Sequence, residues 1–365
     1  MFSADGRRSV PVLFYPSSRR VGMTSIGVVG AGAAAAAACY VVDGAVPDAS
    51  ITVLEKSGGL CGRAATRRRD GVIYDYGANY IKDDDERVLD LLDRFDDGLV
   101  EIEGGIDIFD RTGTVSDGRD DQERKFTYET GLTRFAKHLF GATDAAVHRR
   151  TRVERIARTD GAWTLTDADG TEWGPFDVVL LNPPAPQTAT LLETADWEGS
   201  PRENLLDAVR DVDYRTVWTA VLGYPFELDV PYYALVNTDK EHAVGWISRE
   251  GCKPGHVPDG ESVLIVQANH EWSVERYDAA AERNVADLAA HAADIVGDDR
   301  LTEPAWTDHQ GWRYALAESG LRRGVRDAPE DAGLYCLGDW VAGEARVHAA
   351  IRNGLETGER LVYSL

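Results

Sequence analysis

The stretch SIGVVGAGAAAAAACYVV, from Ser25 to Val42, is apolar and consists almost entirely of small residues. Its first part, SIGVV, is typical of a short buried strand, and the alanine-rich remainder is typical of a helix. Gly30, Gly32 and Ala35 lie between them in the pattern G-x-G-x-x-G/A. Gly30 permits a tight turn, Gly32 lets backbone N–H groups approach a pyrophosphate, and the alanines let the helix lie close to a sheet. The stretch therefore predicts a strand, a phosphate-binding turn and a helix.

A second strand supports a dinucleotide site. The residues SITVL, Ser50 to Leu54, end at Glu55, which follows Gly30 by 25 residues. A carboxylate at this place can accept hydrogen bonds from ribose hydroxyls. The first stretch also imitates a twin-arginine export signal, because Arg19 and Arg20 precede it. Removing it as a signal would delete the first strand and helix, so we favour the phosphate-binding interpretation and expect residues 1–22 to form a flexible extension.

The amino-acid composition limits the classes of partner that the protein is expected to bind. The net charge of −23 and the pI near 4.7 exclude a generally basic nucleic-acid-binding surface and make anionic membranes poor partners. The acidic residues are spread along the chain, and only six of its 39 basic residues are lysine, which is typical of a surface adapted to high salt. Cys39, Cys61, Cys252 and Cys336 lack metal-ligand spacing. We therefore expect reduced thiols, no metal site and a cytoplasmic location.

Several further blocks follow in a recognisable order. They are KSGGLCGR (56–63), GVIYDYGANYI (71–81), NPPAPQTATLL (182–192), GWIS (245–248), KPGH (253–256), QANHEWS (267–273), GWRYA (311–315) and GLYCLGDWVAGEARVHAAIRNGLETGERL (333–361). Together with the Gly30 turn, they resemble the flavin-containing amine oxidase superfamily, and within it the renalase-like proteins. Asn79 replaces a glutamine of the family pattern, and His256 replaces an arginine.

The resemblance implies an α/β protein in which a Rossmann-like FAD-binding domain is interleaved with an α+β substrate domain built on a mostly antiparallel sheet. We expect residues 23–82, 129–187 and 305–365 to form the FAD-binding domain, and residues 83–128 and 188–304 to form the substrate domain. The FAD is expected to be non-covalent, since Cys336 lies within the last predicted strand rather than before it.

The fingerprint and the resemblance together imply the site residues. The expected cofactor-binding residues are Gly30, Gly32, Ala33, Ala34, Glu55, Lys56, Gly62, Arg63, Gly77, Ala78, Asn79, Tyr80, Val153, Gly338, Asp339, Arg346 and Val347. The candidate substrate-binding residues are Trp246, Trp272, Trp312, Arg313 and Tyr314. His309 and His348 lie near these blocks, but a lone histidine is more often structural, so neither is expected to act as a general base.

Three functions remain open at this stage. Renalase-like proteins oxidise dihydronicotinamide isomers of the NAD(P)H type, passing a hydride to flavin N5 and then electrons to O2 with formation of H2O2. This chemistry needs orientation rather than an acid–base dyad, because the ring regains aromaticity. The alternatives are oxidation of a small amine between aromatic walls, and a non-catalytic flavin-binding role. All three predict a small-molecule ligand, and the first predicts a nicotinamide nucleotide.

Overall fold

The protein is described here by a computed structural model that covers residues 24–118 and 123–365. The expected extension at residues 1–22, with Arg19 and Arg20, lies outside the described residues. Within the described ranges, no helix has the length and apolar character needed to cross a membrane.

The chain alternates between strands and helices. Its strands are β1 (Ser25–Val29), β2 (Ser50–Glu55), β3 (Thr66–Arg69), β4 (Val72–Asp75), β5 (Ile81–Lys82), β6 (Leu99–Glu101), β7 (Gly105–Phe109), β8 (Val115–Ser116), β9 (Lys125–Tyr128), β10 (Ala146–Arg149), β11 (Val153–Thr159), β12 (Ala162–Asp167), β13 (Glu172–Phe176), β14 (Val178–Leu181), β15 (Tyr214–Tyr224), β16 (Tyr232–Asn237), β17 (Val244–Arg249), β18 (Ser262–Ala268), β19 (Trp306–Ala317) and β20 (Leu334–Cys336).

Its α-helices are α1 (Ala33–Ala45), α2 (Glu86–Arg94), α3 (Thr133–Gly141), α4 (Ala185–Glu193), α5 (Ser200–Arg210), α6 (His270–Glu275), α7 (Ala281–Val296), α8 (Asp327–Asp331), α9 (Asp339–Ala342) and α10 (Val347–Ser364). Short 3-10 turns lie at Gly62–Ala64, Glu250–Cys252, Asp299–Thr302 and Arg323–Val325.

A five-stranded parallel sheet forms the first layer, in the order β10-β2-β1-β14-β20. It combines segments from both halves of the chain, as the interleaved arrangement requires. The antiparallel sheet β11-β12-β13 packs beside it, with Trp163 and Leu165 fully buried. The predicted strands at Ser25–Val29 and Ser50–Leu54 coincide with β1 and β2.

The alanine run explains how helices cover this sheet. Ala33 to Ala38 are at most 8% exposed, and α10 lies directly on α1. A Cβ atom at Gly354 of α10 would overlap the carbonyl oxygen of Ala34, so the two helices approach as closely as their backbones allow. Small residues on both helices create this contact, since any larger side chain would separate them.

The second layer is a seven-stranded sheet, in the order β19-β15-β18-β17-β16-β7-β8. Every neighbouring pair is antiparallel except β16 with β7, so the sheet is mostly antiparallel as predicted. One face is covered by α7, where Leu288, Ala289 and Ala292 pack against Leu264 and Val266. The opposite face is turned towards the segment that follows β4, which is described below.

The segment expected to belong wholly to the substrate domain, residues 83–128, is divided in the structure. Its strands β7 and β8 join the seven-stranded sheet. In contrast, Val88, Leu91 and Leu92 of α2 pack into the core that surrounds α1, and β9 joins β5 and β6 in a separate sheet. The apolar face of α2 explains its position, because that face needs a hydrophobic surface and finds it beside α1.

We predict that Gly354→Ala lowers the free energy of unfolding by about 1–3 kcal/mol, because the new methyl group overpacks the contact between α10 and α1. Urea denaturation measures the change. Gly44→Ala is the matched control, since Gly44 is also helical but a Cβ there meets no atom within 4 Å. The control is expected to be neutral or to stabilise by up to about 1 kcal/mol. Equal losses in both variants would contradict the close packing.

Candidate functional site

The carboxyl ends of the parallel strands meet at one edge of the first sheet. Gly30 follows β1, Lys56 follows β2 and Asn182 follows β14. The segment after β20 brings Gly338 to the same edge, and Asn182 Nδ2 donates to the Leu337 carbonyl over 3.1 Å. Ligands of open parallel sheets bind outside this edge. The structure therefore places the predicted fingerprint where a dinucleotide is expected.

The glycine turn has the geometry that its residues predict. Gly30 has a positive φ of 89°, which favours glycine, and its N–H donates to the Leu54 carbonyl over 2.8 Å. The Gly32 N–H donates to Asn182 Oδ1 over 2.9 Å, and a Cβ at Gly32 would overlap that oxygen. Ala33 begins α1 with 8% exposure. Since the N–H groups of Gly30 and Gly32 already have protein acceptors, the backbone donors that a phosphate would use are those of the first turn of α1.

Glu55 is fixed beside the turn. Its side chain is buried, and its two carboxylate oxygens accept from the N–H groups of Ala31 over 2.8 Å and Ser57 over 2.7 Å. Each oxygen retains further acceptor capacity, since a carboxylate offers about four lone-pair sites. The arrangement fits a carboxylate that receives ribose hydroxyls.

The KSGGLCGR segment leaves room beside the turn. Its Cys61 N–H donates to the Ala31 carbonyl over 2.9 Å, which anchors the segment to the fingerprint. Gly59 and Gly62 are exposed, and a Cβ at either would meet no atom within 4 Å. Open space therefore adjoins the glycine turn, and the backbone lining it fits an extended dinucleotide such as FAD.

Arg63 and Asp339, both predicted to contact the cofactor, pair with each other. Arg63 donates to both carboxylate oxygens of Asp339 over 2.6 and 2.8 Å, and its Nη1 also donates to the Ala315 carbonyl. Burial opposes the charge of Arg63, but Asp339 outweighs burial and raises the pKa of the guanidinium. This bidentate pair joins the GG-x-x-GR segment to the start of α9.

Gly77 marks a close approach between the two sheets. A Cβ there would overlap the Arg63 carbonyl oxygen and would lie 3.0 Å from the Trp312 ring. The Trp312 ring stacks on Tyr76 with centroids 5.2 Å apart, and its Nε1 donates to the Tyr76 carbonyl. Gln267 Nε2 donates to the Gly77 carbonyl over 2.7 Å. The predicted residues Gly77 and Trp312 are thereby brought together.

One face of the seven-stranded sheet covers residues 77–80. Thr219 pairs with Gln267, and Gln267 pairs with Trp246, so these three side chains share a face. Ser248 lies on the same face and donates to Asn79 Oδ1 over 3.0 Å. The Trp246 ring contacts Tyr80 with centroids 6.3 Å apart. We name this face, with Thr219, Trp246, Ser248 and Gln267, the inner face.

A buried group of four ionisable side chains lies next to the segment of residues 77–80. Lys253 Nζ lies 3.1 Å from Asp75 Oδ2 and 2.8 Å from Glu250 Oε1. His256 Nδ1 lies 2.9 Å from Glu250 Oε2, and its Nε2 lies 2.9 Å from the Tyr128 carbonyl. Because a carboxylate and a carbonyl both accept, this geometry is satisfied when both ring nitrogens carry protons. The resulting quartet joins two carboxylates, one ammonium and one imidazole.

The charges of the quartet depend on one another. Burial by itself would raise the pKa of Asp75, but Lys253 and His256 outweigh burial and lower it. Burial likewise opposes the Lys253 ammonium, but Asp75 and Glu250 raise its pKa above the ordinary value. Asp75, Glu250 and His256 also lie close enough together to hold a metal ion, yet the Lys253 ammonium already supplies a cation between the two carboxylates.

The structure does not bring every predicted residue to the inner face. Trp272 lies in α6 and packs on Trp218 on the face covered by α7, because Asn269 caps a helix there and turns the chain out of the sheet. Arg313 is half exposed and lies over the Tyr277 ring. Tyr314 contacts Tyr214. Trp272 thus lies on the other face of the sheet, and substrate binding by Arg313 and Tyr314 stays a prediction.

The remaining predicted residues lie around the edge of the first sheet or away from it. Lys56 is exposed and donates to Gln187, Val153 begins β11, and Arg346 precedes α10 with its side chain exposed. Val347 begins α10. Ala34 lies in the first turn of α1, next to the glycine turn, and Ala78 directly follows Gly77. His309 stacks on Trp218, and His348 lies between Glu344 and Asp84.

Sequence reasoning missed several residues of this site. Asn182, Tyr76, Thr219 and Tyr233 were not expected to contribute side chains. For Asn182 a signal exists, because it directly follows a buried strand and therefore reaches the same sheet edge as Gly30. For Thr219 and Tyr233 the sequence offers no signal, since their positions depend on strand order and register.

We predict that Lys253→Met lowers the free energy of unfolding by about 3–5 kcal/mol, because it leaves two buried carboxylates without their shared cation. Denaturant titration measures the loss. The control is Arg111→Met, which removes a pair with Glu241 whose partners are 70% and 61% exposed. That change is expected to cost less than about 1 kcal/mol. If both variants lose the same free energy of unfolding, the buried quartet stabilises the fold no more than an exposed ion pair does.

Comparison with known proteins is consistent with this geometry. Residues 111–362 match the family model for flavin-containing amine oxidoreductases, and residues 28–95 match that for an NAD(P)-binding Rossmann-like domain. A protein assigned as a protoporphyrinogen oxidase from Exiguobacterium sp. 255-15 is 16% identical, with a TM-score of 0.78 over 94% of this chain and 100% of its own. Putrescine oxidase bound to putrescine is 12% identical, with a TM-score of 0.70 over 93% and 99%.

A fatty acid isomerase from P. acnes that produces CLA is 12% identical, with a TM-score of 0.68 over 92% of this chain and 98% of its own. At these identities the solved structures show a shared fold and no more. The amine oxidoreductase model, however, spans more than half of the chain. The chain therefore belongs to the flavin-containing amine oxidoreductase family and is an FAD-dependent oxidoreductase.

Proposed function

We propose that this protein is a renalase-like oxidase that binds FAD without a covalent bond and oxidises dihydronicotinamide isomers of the NAD(P)H type. The observation that carries the proposal is the chemical character of the inner face. The four side chains nearest residues 77–80, Thr219, Trp246, Ser248 and Gln267, are neutral. The two carboxylates of the quartet are paired with the Lys253 ammonium, and Asp308 is paired with Arg67.

A neutral face suits a dihydropyridine. Such a ring loses a hydride without help from a base, because the product is aromatic, and the protein has only to orient it and exclude water. An aliphatic amine is protonated at neutral pH and must lose that proton before its carbon can give up a hydride. The four named side chains of the inner face offer no carboxylate or imidazole for this task, and Asp308, further along the same face, already accepts from Arg67 and Tyr74. The amine alternative is therefore the weaker one.

The residues at the edge of the first sheet would hold the cofactor. The Gly30–Ala34 turn would bind the pyrophosphate, and Glu55 would receive ribose hydroxyls. The N-terminus of α10, at Arg346 and Val347, would place a positive helix end near the flavin edge that gains charge. When bound, FAD supplies the two-electron acceptor that is reoxidised by O2, with formation of H2O2.

Non-covalent binding agrees with the cysteines. Cys336 lies within β20 and is buried, and burial raises the pKa of its thiol to about 12. Cys61 is held against the fingerprint by its N–H, which donates to the Ala31 carbonyl, but burial raises the pKa of its thiol to about 12 as well. Thiols that stay protonated are poor nucleophiles. We therefore expect acid precipitation to release FAD into the supernatant.

We predict that borohydride-generated dihydronicotinamide isomers bleach the flavin band near 450 nm under anaerobic conditions, whereas a panel of small amines does not. The measurement is the visible spectrum of the purified holoenzyme in high salt, followed by readmission of O2 and assay of H2O2. Bleaching by amines alone would overturn the proposal in favour of amine oxidation. Retention of FAD without bleaching by either class would indicate a flavin-binding role without turnover.

A further inference from the structure

An open pocket lined by arginines continues the inner face at its far end. The pocket has a volume of about 760 Å³, and it lies between β3 and β19. Arg67 and Arg69 line it from β3, and Asp308 and Gln310 line it from β19. Gln310 pairs directly with Thr219 of the inner face, so one continuous surface joins the two places. We name this feature the arginine pocket.

An aromatic column also connects the arginine pocket with the segment after β4. The Arg67 guanidinium carbon lies 4.1 Å from the centroid of the Tyr76 ring, and that ring stacks on Trp312. The Trp312 ring in turn borders Gly77. None of the described residues that line the pocket belongs to the glycine turn of the first sheet. The pocket is therefore close to the inner face and distinct from the turn that would hold the FAD pyrophosphate.

Two of the arginines lie side by side over β19. Arg67 and Arg69 are two residues apart in a strand, so they lie on one face of β3 with their Cα atoms about 7 Å apart. Arg67 Nη1 donates to the His309 carbonyl over 3.0 Å, and Arg69 Nη1 donates to the Thr307 carbonyl over 3.3 Å. Both guanidinium groups are thus held along the same short stretch of β19.

The arginine pocket has a local excess of positive charge. The described residues that line it include three arginines, Arg67, Arg68 and Arg69, and one carboxylate, Asp308. Burial by itself would raise the pKa of Asp308, but hydrogen bonds from Tyr74 and Arg67 outweigh burial and lower it. The ionised carboxylate balances one of the three cations. In a chain with a net charge of −23, this surplus is a local exception that suits an anion.

Arg69 has most of its donors free. Within the described ranges, its guanidinium makes one hydrogen bond, to Thr307, and it lies over the Trp306 ring with 5.1 Å between its carbon and the ring centroid. Its ion pair with Asp70 spans 3.5 Å, and the Asp70 side chain is 92% exposed, so this pair is weak. Arg67, in contrast, uses three of its five N–H groups on β19.

We propose that the arginine pocket binds a phosphate group of the substrate, with Arg69 as the principal donor and Arg67 as the second. This inference rests on the function proposed above, and it narrows the substrate class to phosphorylated dihydronicotinamides. The planar fork of a guanidinium matches two oxygens of a phosphate, which a neutral face cannot do. The nucleotide would extend from the inner face, where its ring is oxidised, past Gln310 to Arg69.

The test compares two ligands that differ only in the phosphate. Nicotinamide mononucleotide and nicotinamide riboside are titrated into the holoenzyme by calorimetry at one fixed concentration of KCl. Neither is a hydride donor, so binding is measured without turnover, and FAD already fills the glycine turn. The net charge of −23 favours the cationic riboside. We nevertheless expect the mononucleotide to bind about tenfold more tightly, because the arginines contact its phosphate.

Two variants change this affinity in opposite directions. Arg69→Gln is expected to weaken the mononucleotide about tenfold and to leave the riboside within twofold of the parent protein. Asp70→Asn removes the carboxylate that competes for Arg69, and it is expected to strengthen the mononucleotide by about two- to fivefold. Asp70 has a positive φ of 49°, which asparagine tolerates. Melting temperature and absorbance near 450 nm show that fold and cofactor are retained.

Arg300→Gln is the matched control. Arg300 is also exposed, lies over an aromatic ring, that of Phe226, and pairs with a nearby aspartate, Asp298. It does not line the arginine pocket. This variant is expected to leave both affinities within twofold of the parent protein.

Three results overturn the inference. They are a mononucleotide that binds no more tightly than the riboside, an Arg69→Gln variant that changes both ligands equally or neither, and inorganic phosphate that binds as tightly as the mononucleotide. The last would make the pocket a site for the free anion. Failure of the proposed function looks different, since dihydronicotinamides would then not bleach the flavin of the parent protein. Bleaching together with any of the three binding results would overturn the phosphate contact alone.

Discussion

The buried quartet joins the β3–β4 hairpin to the seven-stranded sheet, and the position of the residues that follow β4 depends on it. Asp75 ends β4, while Glu250, Lys253 and His256 belong to the connection between β17 and β18. Their mutual attraction therefore holds the residues that follow β4 against the second sheet. A buried charge without its partner is very costly, so the four groups tolerate few relative positions. That restriction fixes the position of residues 77–80 against the inner face.

The same interaction explains the neutrality of the site. Two carboxylates lie close to a region where hydride chemistry is expected, yet both are committed to cations that are themselves buried. The protein keeps acidic groups near the site for structure while withholding them from proton transfer. His256 joins this balance by facing one carboxylate and one carbonyl. Charge is thus used here to position the backbone.

The sequence predicts the local parts of this protein well and its long-range contacts poorly. The turn at Gly30 and the strand before it are local patterns, so Ser25–Val29 was predicted at its observed bounds. Helix α9 was not predicted, because its four residues are too short to show a period. Trp272 was expected in the site, but the Asn269 cap places it in a helix. Thr219 reaches the inner face only through strand register, which one sequence does not reveal.

The strand order of the first sheet has a consequence for the newly made chain. Its central strand β1 emerges first, whereas its edge strand β20 ends at Cys336. The contact between Asn182 and Leu337 joins positions 155 residues apart. Closing so large a loop is slow, and unpaired strand edges attract other chains meanwhile. Almost the whole polypeptide must therefore be synthesised before this sheet can be completed. Chaperone protection during synthesis would benefit β14 most, because its partner β20 is made last.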